Sequence, residues 1–126
     1  MLNVTAVGFA DREAKKPMQA DTVFWIASQS KGITATAVMM LVDEGKLSLD
    51  DPVEKYLPEF KDQRVAAGKD ATVARARSIT IRDLLSHVSG LPFKSAEEQP
   101  TLDGLPLAAA VKTYAKAPLV TQPGAK

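Results

Sequence analysis

The chain has 126 residues, of which 45% are hydrophobic, 16 are basic, 15 are acidic, one is histidine and none is cysteine. This composition is ordinary for one globular domain, and a net charge of +1 argues against a nucleic-acid partner. The lack of cysteine excludes disulfides and thiolate metal sites, and a single histidine excludes the usual histidine-rich zinc sites, so we expect no metal and no cofactor.

The N-terminal residues predict the strand portion of the fold. Asn3 to Phe9 alternates loosely and predicts a strand, which ends where Asp11 to Ala20 forms a charged turn. This strand has no obvious partner, and a lone or two-stranded sheet is marginal in water. The first four residues have neither the basic start nor the apolar run of a secretory signal, so the localisation stays open.

A long helix is predicted from about Ser30 to Glu44, with Gly45 as its left-handed cap. Ile33 to Val42 is apolar on every face apart from its threonines, which predicts a helix that is buried all round. The same run is too short to span a bilayer, which takes about 20 residues.

Weaker signals follow this helix. Asp51 predicts the cap of a second helix, with Pro52 in its first turn. Lys61 to Arg77 is polar, basic and alanine-rich and carries no recognisable turn signal, so we expect a surface excursion.

The last third of the chain predicts two helices. Thr80 to Asp83 has the pattern of a capping box for a short helix through Ser86, closed near Gly90. Phe93 to Gly104 predicts a loop, and Leu105 to Ala117 predicts the last helix.

The chemistry is concentrated in Ser28 and Lys31, which form a Ser-x-x-Lys pair where the long helix begins. Residues three apart share a helix face, so the hydroxyl and the amine can meet. A lysine can activate a serine only when its pKa is lowered, and a helix N-terminus and a dry pocket both act in that direction. The pair predicts a serine acyl-transfer enzyme. The alternative is a helix-capping serine beside a solvated lysine, which a fully buried helix disfavours.

Other side chains offer weaker alternatives. Ser30 is nearer to Lys31 in sequence, but the spacing selects Ser28 as the nucleophile. His87 lies beside Ser86 and Ser89, yet the Gly-x-Ser-x-Gly elbow is absent, so we interpret the histidine as structural. Two acidic pairs stand beside turn signals, where capping and solvation explain them; they are Asp50–Asp51 and Glu97–Glu98.

Several motifs together resemble the serine β-lactamase and penicillin-binding-protein superfamily, and most closely its branch of class C β-lactamases, family VIII esterases and D-amino-acid peptidases. The motifs are Gly8–Asp11, Lys16–Met18, Phe24–Ser28, Gly45–Val53, Tyr56–Pro58 and Ile79–Pro92. The resemblance implies an α+β, β-lactamase/transpeptidase-like fold. Here we expect a mainly helical portion with one or two N-terminal strands and an incomplete sheet. The prediction is a single partial domain over 1–126, with a strand portion of about 1–27 and a helical subdomain of about 28–126.

The resemblance also implies parts that this sequence lacks. The family's Tyr-x-Asn and Lys-Thr-Gly or His-x-Gly motifs are absent, and Tyr114-Ala115-Lys116 lacks the asparagine. In relatives the tyrosine motif begins a few residues beyond a turn like Pro123-Gly124. We therefore expect an N-terminal fragment that needs the remaining part of the same enzyme, as a second chain or a further segment.

The activity implied is hydrolysis through an acyl-enzyme, with Ser28 and Lys31 as the catalytic residues. The substrate is a small molecule, and a β-lactam, an ester and a D-amino-acid amide all remain open. Members of the family are often periplasmic or secreted, although this chain shows no signal peptide. Two alternatives are a non-catalytic binding or scaffold fragment and a helical interaction domain with a coincidental tetrad. The long helix of an interaction domain should be amphipathic, and this one is not.

Overall fold

The computed structural model describes residues 3–95, 97 and 104–125. The chain divides into two compact units, Met1–Thr36 and Ala37–Lys126, and one helix continues from the first into the second. The predicted division near residue 28, between a strand portion and a helical subdomain, stays a prediction. Within the described ranges no helix has both the length and the apolar character needed to cross a membrane.

The first unit contains a short hairpin, of β1 (Phe9–Asp11) and β2 (Lys16–Pro17), which pair antiparallel. The turn between them is stabilised by Asp11, whose Oδ1 accepts a hydrogen bond of 2.9 Å from the Ala14 backbone N–H. The predicted strand over Asn3 to Phe9 is therefore wrong in its bounds. Gly8, at φ +79°, interrupts the extended run, and the partner strand lies inside the segment predicted as a charged turn.

Helix α1 (Gln29–Asp43) confirms the prediction of a long helix. It ends at Gly45, which has φ +67°. The Gly45 N–H donates to Val42 O at 2.9 Å and the Lys46 N–H donates to Leu41 O at 2.9 Å, so two of the last helical carbonyls are satisfied.

The prediction that α1 is buried all round is wrong for this chain, since none of its residues is buried. Ile33 is 66% exposed and Met40 is 59% exposed. Packing, and not composition, decides burial, and the described residues do not pack over the apolar faces of this 15-residue helix.

The second unit begins with two 3₁₀ turns, Val53–Lys55 and Pro58–Phe60, where the sequence predicted an α-helix. Pro52, with ψ 139°, is extended and forms an isolated bridge with Thr80, which replaces the predicted first helical turn. Asp51 does not cap this turn; its Oδ2 instead accepts a hydrogen bond of 2.8 Å from the Ser48 N–H.

A second hairpin, β3 (Arg64–Ala66) with β4 (Thr72–Ala74), corrects the predicted surface excursion over Lys61 to Arg77. Alternation places Val65 in the core while its two neighbours in β3 are exposed. The turn closes through a hydrogen bond of 2.8 Å from Ala67 N to Ala71 O.

Two more helices complete the second unit, α2 (Ile81–Leu85) and α3 (Leu107–Lys116). The capping box of α2 is confirmed, because the Thr80 side chain accepts from the Asp83 N–H and the Asp83 side chain accepts from the Thr80 N–H. The chain leaves α2 through a left-handed His87, at φ +59°, earlier than the predicted closure near Gly90. Pro106 precedes α3 as its N-cap, and the predicted loop from Phe93 to Gly104 lies partly outside the described residues.

The core of the second unit is one small cluster drawn from both 3₁₀ turns, β3, α3 and the segments beside them. Its buried members are Val53, Phe60, Val65, Ile79, Ala115 and Leu119. Ile79 and Leu119 are fully buried. Leu119 also joins the sheet, because its N–H donates to Arg64 O and its carbonyl accepts from the Ala66 N–H, each at 2.8 Å.

Candidate active site

Ser28 and Lys31 lie at the start of α1 and are in direct contact. The Lys31 Nζ donates a hydrogen bond of 2.8 Å to the Ser28 Oγ. The spacing of three residues produces this contact, because it places both side chains on one side of the first helical turn. The structure therefore brings together the two residues that the sequence singled out.

The backbone before the serine makes an uncommon turn. Ala27 has φ +45°, in the left-handed region that alanine rarely adopts. The backbone then enters α1 through three consecutive i→i+3 hydrogen bonds, donated by the N–H groups of Gln29, Ser30 and Lys31. Strained backbone of this kind is often found at functional sites. Sequence reasoning missed this turn, since an alanine gives no signal of positive φ.

Ser30 occupies a different position from Ser28. Its hydroxyl donates a hydrogen bond of 2.7 Å to the Ala27 carbonyl oxygen. The Ser30 oxygen is thus engaged with the backbone, whereas the Ser28 oxygen faces an amine. Of the two serines, Ser28 alone has a side chain that could act as a base beside it.

The pair is exposed, and so are the apolar residues around it. Trp25 is 86% exposed, Phe24 is 63% exposed and Ile33, on the first turns of α1, is 66% exposed. Apolar side chains flanking a reactive pair are typical of substrate pockets, which are lined mostly by hydrophobic and aromatic groups. In this chain they lie in solvent.

His87 does not form a nucleophilic pair with either neighbouring serine. The Ser86 hydroxyl donates to Arg82 O at 2.7 Å, and the Ser89 hydroxyl is buried, where it accepts a hydrogen bond from the Leu91 N–H. His87 itself is exposed and shapes the end of α2 through its left-handed backbone.

The acidic pair at positions 50 and 51 is explained by ion pairing. Asp50 accepts a hydrogen bond of 2.9 Å from Arg82, which lowers the pKa of that carboxyl. Asp51 accepts from the Tyr56 hydroxyl at 2.6 Å and from Lys55 at 2.9 Å, and with the Ser48 N–H these contacts lower its pKa to about 2. Neither carboxylate is suited to proton transfer near neutral pH. Glu98 of the other predicted pair lies outside the described residues.

Arg77 and Asp83 form a partly buried ion pair that the sequence did not predict. The guanidinium donates two hydrogen bonds to the carboxylate, of 2.5 Å and 2.9 Å. These bonds, together with those from Thr80, hold the pKa of Asp83 at about 2 despite its burial. The pair ties the loop before α2 to the capping box of that helix, so its role is structural.

Comparison with known proteins places this chain in a family. The sequence model of the family described as Beta-lactamase matches residues 2–126. A solved structure of EstCE1, described as a hydrolase with promiscuous acyltransferase activity, superposes with a TM-score of 0.71 at 34% identity, over 97% of this chain and 33% of that one. The fold class is therefore the serine β-lactamase/transpeptidase-like class, as predicted. The chain belongs to the Beta-lactamase family.

Two sequence relatives support this assignment. An uncharacterized protein of Mycobacterium tuberculosis is 42% identical over 98% of this chain and 34% of its own length. Esterase EstB of Burkholderia gladioli is 49% identical over 70% of this chain and 21% of its own length. The predicted resemblance is confirmed, and the chain spans about a third or less of the length of these relatives.

Proposed function

We propose that this chain carries the nucleophile and the general base of a serine hydrolase that works through an acyl-enzyme. Ser28 is the nucleophile and Lys31 is the base. The contact of 2.8 Å between Lys31 Nζ and Ser28 Oγ carries the proposal, because a base must lie within hydrogen-bond reach of the proton that it removes.

The first half of the reaction acylates Ser28. Its Oγ bonds to the substrate carbonyl carbon while the hydroxyl proton passes to the Nζ of Lys31. The tetrahedral intermediate then collapses, the bond to the leaving oxygen or nitrogen breaks, and the leaving group takes up a proton. Water attacks the acyl-enzyme in the second half, which releases the acid and restores the Ser28 hydroxyl.

The reaction requires parts that the whole enzyme would supply. Burial favours the uncharged form of an amine, and Lys31 is exposed in this chain. The resemblance implies a tyrosine that shares the proton transfer and a strand N–H that completes the oxyanion hole. Losing one oxyanion donor lowers the rate by about 100-fold or more, so the chain alone should be nearly inactive. The exposure of α1 and its flanking apolar residues supports a fold completed by further chain.

We infer that an ester is the first substrate class to test among the three candidates. EstB is described as an esterase and EstCE1 as a hydrolase, and both share more than 30% identity with this chain. The β-lactam and D-amino-acid amide classes use the same acylation chemistry, and a parallel assay on one member of each class would separate the three.

Intact-mass analysis after exposure to a fluorophosphonate tests the proposal. In the full-length protein we expect one covalent addition that Ser28→Ala abolishes and that Ser30→Ala leaves unchanged. Ser30→Ala is the matched control, because the Ser30 hydroxyl is bonded to the Ala27 carbonyl. A full-length protein that is folded but never labelled would instead support a non-catalytic binding or scaffold role.

Acyl transfer to an alcohol is a second candidate activity, which the description of EstCE1 favours. An alcohol in place of water would attack the same acyl-enzyme, and the product would be a new ester. Product analysis with and without added alcohol measures how the acyl-enzyme divides between attack by water and attack by the alcohol. If added alcohol leaves the yield of acid unchanged, this activity is excluded.

A further inference from the structure

The residues that lead into Ser28 form a continuous apolar run. Residues 23–27 contain no charged side chain and connect directly to the serine. Over residues 22–36 the only charged side chain is that of Lys31, whose amine is already bonded to the Ser28 Oγ at 2.8 Å. The chain on both sides of the proposed nucleophile therefore suits an uncharged, apolar group better than an anion or a cation.

The exposed fractions of these side chains alternate along the run. Val23 is 94% exposed and Trp25 is 86% exposed, whereas Phe24 is 63% exposed and Ile26 is 44% exposed. A period of two is typical of extended backbone, in which residues two apart point to the same side. Val23 and Trp25 thus form the more open side of the run, and Phe24 and Ile26 form the more shielded side.

Trp25 lies within reach of a group bound to Ser28. Consecutive Cα atoms are about 3.8 Å apart, so the two Cα atoms are separated by at most about 11 Å. The true separation is shorter, because Ala27 is left-handed and the Gln29 N–H donates a hydrogen bond of 3.1 Å to the Ile26 carbonyl, which folds the chain back. An octanoyl group on the Ser28 Oγ is long enough to span this distance.

We propose that Trp25 is a specificity-determining residue: its indole contacts the acyl group of an ester at Ser28 and favours long, uncharged alkyl chains. This inference rests on the proposed function, in which Ser28 is the nucleophile. The indole supplies a large, rigid apolar surface. Because each methylene withdrawn from water contributes to binding, the preference should increase with the length of the acyl chain.

Labelling of the full-length protein with two fluorophosphonates, one carrying an ethyl group and one an octyl group, tests the contact. The Ser28 Oγ bonds to phosphorus and fluoride leaves, so the alkyl group takes the place of the acyl chain. We expect Trp25→Ala to lower the rate of octyl labelling about 10-fold and the rate of ethyl labelling less than about two-fold. A defect in folding would lower both rates equally, and equal losses would overturn the inference.

Two further variants serve as controls. Trp25→Phe keeps an aromatic apolar surface and should retain most of the preference for the octyl reagent. Phe93→Ala is the matched control, because it removes another exposed aromatic side chain, 85% exposed, from the second unit. Phe93→Ala should change neither labelling rate. A loss of octyl preference in Phe93→Ala as large as that in Trp25→Ala would overturn the inference.

Fluorescence provides a readout that covers the case in which Trp25→Ala does not fold. The difference in emission between the unmodified full-length protein and Trp25→Phe isolates the signal of Trp25. Acrylamide should quench this signal before labelling and after ethyl labelling, and octyl labelling should shield it. Shielding of Trp25 from acrylamide before any labelling would overturn the inference.

The labelling experiment also separates this inference from the proposed function. If neither reagent labels Ser28 in the folded full-length protein, the proposed function and this inference fail together. If Ser28 is labelled at rates that do not depend on the length of the alkyl group, the inference alone is overturned.

Discussion

The two units of the chain differ in how their important contacts arise. In residues 3–36 the reactive pair forms between side chains three residues apart, and no side chain is buried. Among the described residues of the second unit, the core is assembled from distant parts of the sequence, and Val53, Ile79 and Leu119 come together from three separate segments. Local geometry can therefore place a serine hydroxyl beside a lysine amine without a core, whereas a buried environment around such a pair requires long-range packing.

The largest expected effect concerns the reactive pair. Lys31→Arg keeps a positive charge and hydrogen-bond donors but removes the group that can become neutral, so acylation of Ser28 in the full-length enzyme should fall by about 100-fold to 10,000-fold. In the 126-residue chain the urea midpoint of unfolding should not change, because the Lys31 side chain is exposed there. The rate of covalent labelling of Ser28 measures acylation, and an unchanged labelling rate would exclude Lys31 as the base.

A core substitution tests the other side of the comparison. Ile79→Ala should lower the free energy of unfolding of the second unit by about 2–5 kcal/mol, because Ile79 is fully buried. Ile33→Ala should change the free energy of unfolding of this chain by less than about 0.5 kcal/mol, since Ile33 is 66% exposed.

Urea unfolding followed by circular dichroism measures both isoleucine variants. In the full-length protein Ile33→Ala should become as harmful as Ile79→Ala if further chain covers α1. Equal effects of Ile33→Ala in the short chain and in the full-length protein would show that the helix remains uncovered.

The Asp83 carboxyl gives the second unit a defined acid sensitivity. Because its pKa is about 2 when folded and about 3.8 otherwise, its ionised form stabilises the fold above pH 4, and that contribution is lost as the pH falls from about 4 to about 2. The loss should be on the order of 1–2 kcal/mol, reduced by the partial exposure of Arg77.

Asp83→Asn provides the control for this pH dependence, since it removes the titrating group and keeps a similar shape. Unfolding by urea at pH 5 and at pH 3 should show a smaller difference for Asp83→Asn than for the unmodified chain. An identical pH dependence of stability in both proteins would contradict the assignment of the acid sensitivity to Asp83.

The smallest expected effect concerns the helix cap. Thr80→Ala removes the acceptor of the Asp83 N–H and should destabilise the second unit by about 1 kcal/mol, whereas Thr80→Ser retains the oxygen and should cost much less. Thermal unfolding of the two variants at neutral pH separates the contribution of the Thr80 hydroxyl to stability from that of its methyl group. A larger loss of stability for Thr80→Ser than for Thr80→Ala would rule out the capping explanation.

The sequence predicted the features that depend on neighbouring residues. Helix α1, its glycine cap and the capping box at Thr80 all follow from spacings of six residues or fewer, and so does the meeting of Ser28 with Lys31. Each of these patterns satisfies backbone or side-chain groups within one helical turn, so they can be recognised without knowing the fold.

Features that depend on distant residues were missed. The β3–β4 hairpin has only one apolar residue facing the core, Val65, in a segment rich in alanine and arginine, so its alternation was hidden. Gly90 and Thr121 are 31 positions apart in the sequence, and neither residue type predicts the close approach of their backbones. The exposure of α1 was missed because the composition of a helix shows that its faces are apolar but does not show which residues pack against them.

The left-handed turn at Ala27 limits which residues can stand immediately before Ser28. A branched side chain at that position would strain the turn, whereas glycine would adopt the conformation freely and asparagine with little strain. Natural variation at this one position should thus be narrow.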